Sequence, residues 1–132
     1  MTHARKAALL LSLALGACTT VPKEKGDLVG RGTASWYGKQ FQGRKTASGE
    51  PFDMHKLTAA HRTLAFDTMV RVRSLSTKKE VLVRINDRGP YAGDRIIDLS
   101  HEAARRLGFI DKGHDEVEIY HEGRPTGLAR RL

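Results

Sequence analysis

Two runs in which apolar residues recur at every second position, separated by a short polar turn, limit this chain more than any other feature. Val70 and Val72 alternate with Arg71 and Arg73, and after Ser76 to Lys79 the apolar residues Val81, Val83 and Ile85 again recur every second position. A two-residue period is the mark of a strand with one buried face, so the pair predicts a β-hairpin. Further short segments carry the same signal. "GTASWYG" reads as a strand ended by Gly38, Arg95 to Leu99 as a short strand, and Asp115 to Tyr120 as a last one with Val117 and Ile119 inward. Ser100 can cap a helix through about Leu107, with Glu102 in its first turn and Gly108 as its stop. Lys39 to Pro51 is Gly-rich and polar and reads as a loop. Five or six short strands, one or two short helices and no βαβ rhythm predict a mainly all-β fold, a small closed barrel.

The ends read differently. Arg5 and Lys6, the apolar run Ala7 to Leu15 and Leu15-Gly16-Ala17-Cys18 have the layout of a secretory signal over residues 1–17. The run is far short of the roughly 18–20 residues needed to span a bilayer. Cys18 is the single cysteine, so no disulfide is expected. Residues 18–28 read as a tether. Residues 29–121 read as one domain, and the mature chain of about 115 residues can bury a core without staples. Residues 122–132, with Pro125 and three arginines, read as a basic disordered tail. The formal charge of +8 suits acidic partners: nucleic acid, anionic lipid or cell-wall glycan with its carboxylates. Export argues against nucleic acid, and no RNA motif or zinc-finger spacing is present.

In "RINDRGPY", Asp87 shares the parity of Val81, Val83 and Ile85 if the strand stays regular. Two readings are open. Burial disfavours the charged form of a carboxyl, which suits a general acid. Alternatively Asp87 bonds nearby amides in an Asx-turn ahead of Gly89-Pro90. Glu50 lies in "TASGEPF", held extended by Pro51, where a glutamate by default is solvated, and His61 in "TAAHRT" reads by default as a structural histidine. Asp98, between Ile97 and Leu99, reads as a structural hydrogen-bonding partner. None of the six histidines forms an HxH or HxxxH pair, and no metal or other cofactor is expected. Trp36 and Tyr37 point to opposite faces of one strand: one for the core, one for stacking on a sugar ring. Tyr91 is a second stacking candidate, and rim packing is an equal alternative for either.

"GTASWYG", "TASGEPFD", "LTAAHRTL", "VRINDRGPY" and "IIDLSHEAARRLG" occur in this order. Together they resemble the rare lipoprotein A family, septal-ring lytic transglycosylases built on a double-psi β-barrel, over about Val29 to Tyr120. The resemblance implies a six-stranded double-psi barrel that cleaves peptidoglycan glycan strands, preferably stripped of stem peptides, with a non-catalytic, expansin-like wall-binding lipoprotein as the alternative. It implies Asp87 as acid/base, Glu50 as second carboxylate and His61 as a groove or orienting residue. Trp36, Tyr37, Tyr91 and Arg88 are the substrate-binding candidates. Leu-Gly-Ala-Cys resembles a lipobox, which implies lipidation of Cys18 and, with Thr19 next, a lipid anchor on the periplasmic face of the outer membrane. A monomer is expected. The chain departs from the family in two places. "LAFDT" stands where Pro-Phe-Gly-Thr is commoner, and the C-terminal SPOR domain of many members is not found in this sequence.

Overall fold

A computed structural model describes residues 26–124. The leader, Cys18 and most of the tether and tail therefore lie outside the described residues. Six strands close into a barrel: β1 (Leu28–Tyr37), β2 (Thr58–Ala60), β3 (Met69–Ser74), β4 (Glu80–Asp87), β5 (Arg95–Ser100) and β6 (His114–His121). Their order around the barrel is β1-β5-β2-β4-β3-β6. The β1/β5 and β2/β4 pairs are parallel and the rest antiparallel, the crossed connectivity of a double-psi β-barrel. Among the described residues one helix, α1 (His101–Leu107), and a single 3-10 turn, Lys39–Phe41, complete the ordered elements.

The hairpin forms where the alternation predicts it. Val70 faces Val83 and Val72 faces Val81, and these residues, with Ile85, Ile97, Leu99, Val117 and Ile119, fill the interior at 5% exposure or less. Each such side chain contributes about 1.5–3 kcal/mol of transfer free energy. Helix α1 begins at Ser100, whose hydroxyl accepts the Ala103 N–H, and ends at Gly108 with φ 87°. Ala103, Ala104 and Leu107 are its buried face, packed against β1, β4 and β5.

One strand is added and two expectations change. Thr58–Ala60 is a strand, although three residues are too few to show a period. The barrel extends past both predicted ends: the His121 N–H donates to the Asp27 carbonyl, Glu122 and Gly123 exchange backbone bonds with Met69, and Glu122 pairs with Arg71 at 3.0 Å. The first residues of the expected tail are thus ordered by pairing with β3. Finally, β4 is not regular to its end. Ala59 pairs with Ile85 but Ala60 with Asp87, so Asn86 is an inserted residue, a β-bulge. Asn86 is buried at 2% exposure, and the parity on which Asp87 was expected to point inward breaks one residue before it. Bulges of this kind gather at barrel rims and re-aim side chains.

Candidate active site

A cleft of about 360 Å³ opens where β1, β2 and β4 end. Tyr37, Ala60, Asp87 and Asp98 line it from the barrel; Phe41, Arg44, Lys45, Thr46 and Phe52 line it from the loop after β1, and Arg88 from the turn after β4. The loop is tied by its own backbone: Thr46 N–H donates to Glu50 O at 2.8 Å, and Phe52 N–H to Arg44 O at 2.7 Å. Gly49, at φ 93°, makes the tight reversal that lets its N–H reach Thr46 O at 2.9 Å.

Asp87 holds that loop onto the barrel. Its Oδ1 accepts the Ala47 N–H at 3.0 Å and the Arg88 N–H at 2.8 Å. Both bonds end on one oxygen, which leaves Oδ2 available to a ligand. One oxygen of Asp87 thus clamps backbone, as the turn reading expects, and the other makes no hydrogen bond among the described residues.

Glu50 does not line the cleft. Its carboxylate forms a two-pronged pair with Arg84, at 2.7 and 3.1 Å, and Arg84 also reaches Asp67 at 3.1 Å. Burial pushes the Glu50 carboxyl up, but hydrogen bonds from Arg84 and Asn86 and the charges of Arg84 and Lys56 outweigh it, so it sits below its ordinary range. The group is a fixed anion. His61 is also outside the lining. Its Nδ1 accepts the N–H groups of Thr63 and Leu64 at 3.2 and 3.1 Å, and its own backbone N–H donates to Asp87 O at 3.2 Å. The ring is a turn anchor with its proton on Nε2. Burial first, then the positive charges of Arg88 and Arg62, hold the imidazole below its ordinary value.

The aromatic candidates separate. Trp36 packs at the edge of His101 (centroids 5.2 Å) and donates from Nε1 to Ile110 O at 3.3 Å. It belongs to the packing around α1, not to the cleft. Tyr37 lies in the cleft, but its ring is flanked by Phe52 at 4.4 Å and Phe41 at 5.9 Å. Tyr91 is 78% exposed beside the cis Gly89-Pro90 bond and outside the lining. Arg88 lines the cleft yet spends its guanidinium on His61 O and Leu64 O, at 3.2 and 2.8 Å, over the Phe66 ring at 4.0 Å. Sequence reading missed Arg84, Asn86, Phe41 and Phe52. Asp98, read from the sequence as a structural hydrogen-bonding partner, does accept bonds from Ser35 and Arg95, and it also lines the cleft. Among the described residues no group of three or more His, Cys, Asp or Glu could hold a metal ion.

A family model described as "Lytic transglycolase" matches residues 29–119, a span that reaches all six strands and takes in every residue lining the cleft. The chain belongs to the lytic transglycolase family. Among curated relatives, the endolytic peptidoglycan transglycosylase RlpA of Neisseria meningitidis is 48% identical over 100 residues, which are 76% of this chain and 42% of that protein. RlpA of Pseudomonas aeruginosa is 51% identical over 88 residues, 67% of this chain and 26% of that protein. This lytic transglycolase domain thus spans less than half the length of these relatives. Solved structures of other proteins share its fold. The Streptomyces papain inhibitor has a TM-score of 0.58 at 18% identity over 74% of this chain and 98% of its own. Apo expansin of Clavibacter michiganensis has 0.59 at 24% identity over 74% of this chain and 52% of its own. These unlike partners on one barrel leave the lytic transglycolase chemistry to be argued from the cleft.

Proposed function

We propose that this chain is a peptidoglycan lytic transglycosylase acting on the glycan strands, preferably those stripped of peptide. The observation that carries this is Asp87, inside the family-matched barrel, with one carboxylate oxygen clamped and the other available to the cleft. In the proposed reaction Asp87 gives a proton to the glycosidic oxygen as the bond to the muramic acid anomeric carbon breaks. The C6 hydroxyl of the same sugar then closes on that carbon and returns its proton to Asp87. No water is consumed, and one residue serves as acid and then base. Arg44 and Lys45 on the cleft wall suit a glycan bearing free lactyl carboxylates, which supports the preference for peptide-stripped strands. We further propose that the chain acts as a monomer held in the cell envelope by lipid on Cys18, at the periplasmic face of the outer membrane. Cys18→Ser should then release it from membranes.

The test is mass spectrometry of the products from amidase-treated sacculi incubated with the full chain. Fragments ending in 1,6-anhydro sugars are the expected result. Reducing ends, heavier by one water per cut, would replace transglycosylation by hydrolysis. Glycan binding without any product would make the protein a wall-binding lipoprotein.

A further inference from the structure

Ala60 of β2 pairs with Asp87 of β4 on one side and with Asp98 of β5 on the other. Asp98 in turn pairs with Ser35 of β1. One row thus crosses four strands, with a methyl group between two carboxylates, and Ala60, Asp87 and Asp98 all line the cleft. Neighbouring strands lie about 4.8 Å apart, so the two aspartates stand on backbones about 9.5 Å apart, a gap that a sugar ring with its exocyclic oxygens fills. Any larger residue at position 60 would occupy that gap.

The two aspartates are anchored alike. The Ser35 hydroxyl and Arg95 Nη1, at 3.2 Å, both donate to Asp98 Oδ1, as the two N–H groups do to Asp87 Oδ1. Each aspartate thus keeps Oδ2 for the cleft. Beside them, the Tyr37 hydroxyl is buried with no hydrogen-bond partner among the described residues, which is costly unless a partner is reached when the site works. Its ring is held by Phe41 and Phe52, which fixes where its O–H stands. Burial, and then the negative charges of Asp87, Asp98 and Glu50, push the Tyr37 phenol far up. The hydroxyl keeps its proton throughout the working pH range.

Resting on the transglycosylase reading of the same cleft, we propose that Asp98, not Glu50, is the working partner of Asp87, facing it across Ala60, and that the Tyr37 hydroxyl positions the pair by donating a hydrogen bond to it. In the reaction Asp87 moves the proton out and back. Asp98 stays ionised and stabilises the positive charge on the sugar ring as the glycosidic bond breaks. Tyr37 neither gains nor loses a proton. Glu50, outside the cleft lining and paired with Arg84, is the support of the loop.

The test uses the full chain labelled with 13Cζ-tyrosine, comparing wild type, Asp98→Asn, Tyr37→Phe and Glu50→Gln. Asparagine keeps the oxygen that Ser35 and Arg95 reach, and phenylalanine keeps both ring contacts, so these variants should fold. The Tyr37 signal, identified by its loss in Tyr37→Phe, should move in Asp98→Asn and on adding a peptide-free glycan tetrasaccharide. Turnover should fall about 10²–10³-fold in Asp98→Asn with glycan affinity within about threefold of wild type. It should fall about tenfold in Tyr37→Phe, with the pH–rate profile moved to higher pH because a donor to the carboxylates is gone. Glu50→Gln should leave the Tyr37 signal's response to glycan intact. A Tyr37 signal that ignores both Asp98→Asn and the tetrasaccharide overturns the proposal, as does wild-type turnover by Asp98→Asn. If the wild type makes no anhydro product at all, the transglycosylase reading fails instead, and the Tyr37 signal alone then decides whether the pair is the glycan site.

Discussion

Asp87 Oδ1 accepts the backbone N–H of Ala47 at 3.0 Å, across forty residues of chain. The same carboxylate that serves the cleft therefore also fastens the loop that walls it. This double duty separates two substitutions at one position. Asp87→Asn keeps an amide oxygen for the Ala47 and Arg88 N–H groups but loses the transferable proton. It should fold normally and lose about 10²–10⁴-fold in turnover. Asp87→Ala also leaves two donors unpaired, at about 1–3 kcal/mol, and should melt at a clearly lower temperature. Product mass spectrometry with thermal unfolding of both variants checks this; an Asp87→Asn protein that cuts glycan at the wild-type rate would remove Asp87 from the chemistry.

Glu50 should behave as a structural anion. Its folded carboxyl lies below the ordinary value of 4.5, so it binds fewer protons folded than unfolded. The stability it supplies is fully present above that value and is lost as pH falls through the lowered folded value. With the side chain 36% exposed, solvent screening limits the effect, and Glu50→Gln should cost about 1 kcal/mol at pH 7. The difference between variant and wild type should narrow below about pH 4. Denaturant titrations at neutral pH and at about pH 3.5 measure it, and a difference that stays constant with pH would show that the Arg84 pair contributes nothing.

How much of this could be read from the chain alone depends on the range of the cause. The β3/β4 hairpin and α1 were legible because their signals are local: β-branched residues at every second position, and the caps Ser100 and Gly108. Strand β2 was not, because three residues carry no period. The bulge at Asn86 is set by the pairing of β4 with Ala59 and Ala60, and nothing within "RINDRGPY" announces it. Asp87 was thus singled out on a parity that its own strand does not keep. The partner of Glu50 lies 34 residues away in Arg84, a pairing that only the closed barrel creates. Which of Trp36 and Tyr37 meets the cleft is decided by the Ile110 carbonyl and His101 on the other side of β1.

His61 gives the chain an acid sensitivity of its own. Its Nδ1 accepts two N–H groups, so protonation there would set three hydrogens against one another. The folded imidazole is held below 6.5. The folded state therefore binds fewer protons here than the unfolded chain. Stability from this group is complete above pH 6.5 and declines as pH falls through the lower folded value. His61→Ala should lose stability at about pH 7.5 and show a flatter profile as pH falls below 6.5. Thermal unfolding across that range, alongside the histidine ring signals by NMR, is the check. A folded His61 that titrates at or above 6.5 would contradict the assignment.

Asp67 tests the departure of "LAFDT" from the family pattern. Its backbone has φ 70°, the left-handed conformation that glycine adopts freely and that costs other residues about 1–2 kcal/mol. Aspartate is among the side chains that tolerate it, and here the carboxylate also reaches Arg84 at 3.1 Å. The turn must be kept whatever residue stands there, because the Asp67 N–H donates to Ile85 O at 2.8 Å and Ile85 N–H to Thr68 O at 2.9 Å, just ahead of the Asn86 bulge. Asp67→Gly and Asp67→Ala both remove the Arg84 contact, so their difference isolates the backbone. The alanine variant should be about 1–2 kcal/mol the less stable. The glycine variant should stay close to wild type, relief of the conformational cost offsetting the lost contact. Equilibrium unfolding of the two variants decides it: equal stabilities would mean that the turn relaxes to negative φ, and the position would then carry no conformational demand.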